Sequence, residues 1–266
     1  MNMTRPVIAA IAVIAIVIAS SAAYTSFVAN DGQGNEECYG IIGAMDEEVA
    51  HLIDTMEDDR VETLSGMEFH IGKLCGKNVI VVKSGMGKVN AAMCAQTLIT
   101  KYGATAVINT GVAGTLSPDV GIGDIVISEE TVQHDYEVVE LGFDPGFIPN
   151  VGVLAIPADE NLRTKAADII KMQRPDIDVF QGRICTGDAF ISGDEMDPIV
   201  AQFGGLCCEM EGGAIAQVCH LNNVPYVVVR CISDNVSGEG PADYEKFEKE
   251  MAELCAQMIV ELMKEL

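Results

Sequence analysis

Cys208-Glu209-Met210-Glu211-Gly212-Gly213-Ala214-Ile215-Ala216 runs from a short strand-like segment, through a carboxylate, into a helical pattern of small residues. About one strand later, Tyr226-Val227-Val228-Val229-Arg230-Cys231-Ile232 is a second apolar run, and it ends on Ser233-Asp234. A third run, Tyr39-Gly40-Ile41-Ile42-Gly43-Ala44-Met45, is followed by Asp46-Glu47-Glu48. Each segment sets an acid where a strand gives way to something else. Ligands of open α/β sheets bind at the carboxyl ends of strands. Acids gathered at such ends suit a site that handles protons or hydroxyl groups.

Working outward, strand-like runs alternate with helical patterns along the chain. The strands are expected at residues 39–44, 68–71, 78–83, 106–109, 124–131, 182–186, 205–209 and 226–231. The helices are expected at 46–56, 88–102, 160–172, 198–203, 212–221 and 244–266. This order predicts an α/β fold, a three-layer α/β/α arrangement around a central mixed, largely parallel twisted sheet. The longest stretch without periodicity, residues 133–152, holds aromatics, prolines and glycines. Such long loops commonly build sites or subunit contacts.

Composition narrows the class. With 49% hydrophobic residues and 26 glycines, the 266-residue chain has the make-up of a packed α/β domain and not of a disordered chain. A formal charge of −24 argues against nucleic acid and anionic membrane surfaces as partners, since both reward Lys and Arg. The lack of Trp leaves few stacking platforms for bases of single strands. Residues 1–38 hold Arg5 against Asp31, Glu36 and Glu37, so the acidity belongs to the domain that follows, residues 39–266.

Val7 to Ala23 carries no charge, and Ser21-Ala22-Ala23 offers a small-residue cleavage sequence. Residues 1–38 therefore read as a signal or membrane-anchor segment with a polar linker, implying an exported or membrane-associated protein. The nine cysteines form no Cys-x-x-Cys pair, which removes support for a zinc cluster or a thioredoxin-like site. They read as buried free thiols, as in a reducing compartment. The leader and the thiols point in opposite directions.

Several motifs fail. Ser84-Gly85-Met86-Gly87-Lys88-Val89-Asn90 has Val82 and Val89 where a phosphate loop needs Gly and Ser or Thr, and Asn90 where a dinucleotide fingerprint needs Gly. It reads as a tight strand-to-helix turn. No Gly-x-Ser-x-Gly elbow is present. His51, His70, His134 and His220 form no ligand pair, so no metal is expected.

Taken in order, the segments 40–45 with Glu47-Glu48, 83–89, 109–114, 123–126, 187–191, 209–211 and 232–234 closely resemble the 5′-methylthioadenosine/S-adenosylhomocysteine nucleosidases. These enzymes belong to the purine nucleoside/uridine phosphorylase fold family. The resemblance runs from about residue 39 to the C-terminus. It implies hydrolysis of the N9–C1′ bond of a 5′-thio-substituted adenosine, or of 5′-deoxyadenosine, with no metal or organic cofactor. It also implies the site. Asp234, oriented by Ser233, protonates the leaving adenine, and Glu48 activates water. Glu211 binds ribose hydroxyls, with Met210 on the sugar and Glu209 beside it. Phe190 stacks on the base, and the backbone of Ile191 reads its edge. Val112, Ala113, Gly114 and Met45 line the pocket, and Tyr244 caps the 5′ substituent. Val112 stands where the family often has Ser. A homodimer is implied, the 133–152 loop completing its neighbour's pocket through Leu141 and Pro149, although Leu141 replaces the usual aromatic.

Two other readings stay open. A phosphate-dependent phosphorylase needs arginines for its dianion, and the acid-rich Gly43–Glu48 turn has none. A membrane-tethered nucleoside-binding protein would not need all of Glu48, Glu211 and Asp234. Arg230 either supports the acid cluster or pairs with a surface carboxylate.

Overall fold

The computed structural model describes residues 37–235 and 240–266. The expected leader and most of its linker lie outside the described residues. Among the described residues, no helix is long and apolar enough to cross a membrane.

The chain alternates as follows. Strand β1 (Cys38–Gly43) leads to helix α1 (Asp46–Thr55), then to β2 (Glu57–Leu64), β3 (Met67–Leu74) and β4 (Lys77–Lys83). Helix α2 (Lys88–Tyr102) precedes β5 (Ala106–Thr115), β6 (Ile125–Gln133) and the short β7 (Ala155–Pro157). Helix α3 (Glu160–Gln173), β8 (Val179–Thr186), α4 (Met196–Phe203), β9 (Cys207–Glu209), α5 (Gly212–Asn222), β10 (Tyr226–Asn235) and α6 (Gly240–Glu265) complete the domain.

The sheet runs β10-β6-β8-β9-β5-β1-β4-β3-β2, with β7 on β6. Strand β10 also pairs parallel with β5, so β5, β10, β6, β8 and β9 close on themselves, while β1 to β4 fan out as an open wing. Register shifts at Ser128/Glu130 in β6 and at Ile232/Asp234 in β10 supply the local bending that closure demands. The central runs are buried on both faces: Val79 to Val82 and Val227 to Val229 are all within 2% of full burial. One apolar layer joins α1, α3 and α6 to one face, through residues such as Leu52, Ile170 and Ile259. The other joins α2 and α5, through Leu98 and Ile215. These are the three expected layers.

Two strands went unforeseen. Strand β2 is an outer strand, mostly exposed, and reads Glu-Asp-Asp-Arg-Val-Glu-Thr-Leu with no buried face to impose alternation. Strand β7 has three residues and ends on Pro157. Strands β5 and β10 also run past their expected ends, to Thr115 and Asn235. Those polar extensions carry much of the site.

Candidate active site

The strand exits of β1, β5, β8, β9 and β10 meet around one cavity of about 570 Å³, counting the open solvent at its mouth. Every residue assigned to the site from sequence lines it. Met45 and Glu48 come from the β1–α1 turn, Val112 to Gly114 from β5, and Phe190 and Ile191 from the segment after β8. Glu209, Met210 and Glu211 come from the β9–α5 junction, Ser233 and Asp234 from β10, and Tyr244 from α6. Ala44, Met86, Ala189 and Cys208 also line it and were not foreseen.

Glu48 sits in the first turn of α1, where the helix dipole favours a carboxylate. It is buried, and backbone N–H groups hold both its oxygens. Ala44 and Met45 donate to Oε2 at 2.6 and 3.1 Å, and Val112 donates to Oε1 at 3.0 Å. Burial pushes its pKa above the usual carboxylate value, against the pull of Arg230 and of those N–H groups. The approach depends on Gly111, where a Cβ would collide with Glu48 Oε1.

Glu211 begins α5 and accepts from Gly87 N at 2.8 Å. Glu209 accepts from the N–H groups of Glu211 and Gly212 at 3.1 and 2.7 Å and from the Thr186 hydroxyl. Between them lies Arg230, 1% exposed. Its Nη2 pairs closely with Glu209, donates to Asn109 Oδ1 at 2.7 Å and lies 3.5 Å from Glu211 Oε2. Burial opposes the guanidinium charge, but Glu209, Glu211 and Glu48 outweigh it and hold the group protonated. Arg230 thus supports the acid cluster and makes no surface pair. It stands behind the cavity wall, and among the described residues no Lys or Arg lines the cavity.

Asp234 is 2% exposed and follows the β10 irregularity, which turns it into the cavity. Ser233 Oγ donates to its Oδ1 at 2.7 Å. Burial raises its pKa, Ser233 works against that rise, and the charge of Asp243 adds to it. A raised pKa is the direction a general acid needs. Across the mouth, Phe190 and Tyr244 meet edge to face at 5.3 Å, and Tyr244 Oη donates to Met45 Sδ at 3.2 Å. Phe190 is 45% exposed, so its ring is available to a flat ligand.

Residues 39–264 match the family pattern of the phosphorylase superfamily. A 5′-methylthioadenosine/S-adenosylhomocysteine nucleosidase of Shewanella sediminis is 41% identical over 233 residues, covering 85% of this chain and 99% of the relative. The structure of the same enzyme from Neisseria meningitidis, in complex with methylthio-immucillin-A, superposes with a TM-score of 0.83 at 33% identity. It covers 86% of this chain and 100% of that one. Futalosine hydrolase of Helicobacter pylori also superposes with a TM-score of 0.83, at 32% identity, covering 87% and 99%.

The crowding of carboxylates has a consequence for stability. Burial first, and Glu209 second, push the Glu211 pKa up to about 8 against the pull of Arg230, whereas an unfolded Glu ionises near about 4.3. Between these values the native state holds a proton that the unfolded state has released. Stability should therefore fall as pH rises through that window. In thermal melts from about pH 5 to 8.5, Glu211→Gln should flatten this decline and raise the melting temperature at the alkaline end. Parallel curves for the two proteins would contradict the assignment.

Proposed function

The chain belongs to the phosphorylase superfamily, and within it we propose the activity of a hydrolase. It cleaves the N-glycosidic bond of 5′-methylthioadenosine and S-adenosylhomocysteine, giving adenine and the 5′-substituted ribose. The observation that carries this reading is the convergence of Glu48, Glu211 and Asp234 on one cavity whose lining, among the described residues, has no basic residue.

The chemistry follows from the charges. Adenine leaves poorly as an anion, so a proton must reach its N7 as the bond breaks. Asp234, with its raised pKa and its Ser233 hydrogen bond, is the donor. Phe190 offers the base a stacking surface, and Ile191 supplies backbone groups to its edge. Loss of the base leaves a ribose with oxocarbenium character, which the surrounding carboxylates stabilise. Glu48, held by three backbone N–H groups, takes a proton from the attacking water. Glu211 accepts from the ribose hydroxyls, with Met210 packed on the sugar and Glu209 fixing the Glu211 backbone. Tyr244 and Met45 form the apolar end for the 5′ substituent.

A phosphorylase would need cationic donors facing a phosphate dianion. Among the described residues the guanidinium nearby, that of Arg230, is engaged by Glu209, and three carboxylates surround it. Such a site repels phosphate and accepts water.

The second copy expected from sequence also belongs to this reading. Met86, Val89 and Met93 form an exposed apolar stripe from the cavity mouth along α2, and Val139, Leu141 and Phe143 expose further apolar surface on the long loop. Lys88 is ion-paired to Asp135, which ties the start of that loop to the start of α2. Apolar exposure on this scale marks a binding surface. We assign it to a homodimer in which the 133–152 loop of each copy covers the other's pocket. Residues 1–38, with the uncharged run Val7–Ala23, are the proposed membrane-targeting segment ahead of the domain.

Adenine release from methylthioadenosine should be equally fast with and without phosphate, and Asp234→Asn should lower it by at least about 100-fold while substrate still binds. Phosphate-dependent turnover, or near-native turnover in that variant, would contradict the mechanism. Light scattering should give twice the chain mass, and Leu141→Asp should shift the protein toward monomer and raise KM. A native monomer with full activity would refute the shared pocket.

A further inference from the structure

The glycine turn that resembles no phosphate loop has a different use. Helix α2 begins with Gly87 as its N-cap, and no side chain of its own first turn caps it. Its first N–H groups are satisfied from elsewhere in the fold. Gly87 N donates to Glu211 Oε1 at 2.8 Å, and Lys88 N donates to Asp188 Oδ1 at 2.7 Å. Asp188 is itself held, because its N–H donates to Asp135 Oδ2 at 2.9 Å while Asp135 Oδ1 receives Lys88 Nζ at 2.5 Å. Gly87 adopts φ +94°, and a Cβ there would come within 3.0 Å of Asp188 Oδ1, so the turn and the aspartate are in close contact. Asp188 does not line the cavity, yet it lies two residues before Phe190.

We propose that Asp188 is a positioning residue for Glu211: by capping α2 from the β8 exit, it holds the Gly87 N–H where that group orients the Glu211 carboxylate. The reasoning rests on the hydrolase reading above. Two adjacent N–H groups of one rigid turn are bound, one by the exposed Asp188 and the other by the buried Glu211. Releasing the first lets the second move. The carboxylate assigned to the ribose hydroxyls then loses the Gly87 N–H on its Oε1, while Glu48 keeps its backbone donors and Asp234 keeps the Ser233 hydroxyl. Asp135 acts one step further out, since it fixes Asp188 through the main chain.

The test is a double-mutant cycle with methylthioadenosine and its 2′- and 3′-deoxy analogues. Asp188→Ala should lower kcat/KM on methylthioadenosine by about tenfold, and Asp188→Asn, which keeps an acceptor oxygen, should stay within about threefold of native. With Glu211→Ala already in place, Asp188→Ala should cost less than about twofold more, because the side chain it orients is gone. On the deoxy analogue that lacks the hydroxyl bound by Glu211, the Asp188→Ala loss should shrink in the same way. If Asp188→Ala does not fold, Asp135→Ala replaces it in the cycle, with a smaller loss and the same non-additivity. Losses that multiply across the cycle, or an Asp188→Ala enzyme with native kinetics, would overturn the proposal. A native enzyme that fails to release adenine would instead sink the hydrolase reading, so the two failures are separable.

Discussion

A guanidinium withdrawn almost wholly from water, with three carboxylates drawn around it, is the constraint on which the rest of this structure depends. Arg230 lies at the centre of β10, and its charge survives burial only because Glu209, Glu211 and Glu48 lie close by. Removing one partner from such a buried group typically costs ~3–5 kcal/mol. The count is uneven, three acids to one base; burial raises the pKa of both Glu48 and Glu211, and at Glu211 the charge of Glu209 adds to the rise. A surplus of this kind is a burden in the empty protein and an asset when a sugar acquires positive character at the same place. The arrangement therefore spends stability on a transition state, as preorganised electrostatic sites do.

The closed part of the sheet is what brings these groups together. Glu48 arrives after β1, Glu209 and Glu211 after β9, and Asp234 at the end of β10. Strand β9 runs antiparallel to β5, while β1 and β10 run parallel to it, so in a flat sheet the β9 exit would face away from the others. Here β10 pairs with both β5 and β6, β9 pairs with β5 and β8, and the exits face a common interior. Small residues make the contacts possible. Gly111 leaves room for the Glu48 carboxylate, and the β10 irregularity turns Asp234 inward.

Much of this was legible in the chain, for definite reasons. Runs such as Val79–Val82 and Tyr226–Ile232 are buried on both faces, so their unbroken apolar character announces central strands. The site residues could be named because they follow such runs in a recognisable order, and the cavity gathers all of them. Other features carried no local signal. Among the described residues strand β2 pairs only with β3, and it has no buried face to dictate its residues. The polar ends of β5 and β10 extend as strands because they pair with each other, a tertiary cause that Thr115 or Asn235 cannot reveal. The role of Arg230 stayed undecided in sequence because its partners come from three separate segments. Cys208 was read simply as one buried thiol among nine, and the pairing of β9 between β5 and β8 places it in the cavity wall.

The claim at the centre is that Glu48, Glu211 and Asp234 surround one ribose, with Arg230 behind them. The most direct measurement is a crystal structure of the Asp234→Asn protein with intact methylthioadenosine bound. The account predicts the base against Phe190 with N7 facing residue 234. Ribose hydroxyls should lie within hydrogen-bond distance of Glu211, and Glu48 should lie beneath C1′ with room for one water between them. A nucleoside seated with its sugar away from Glu48 and Glu211, or with Arg230 turned into the cavity to meet an anion, would contradict it.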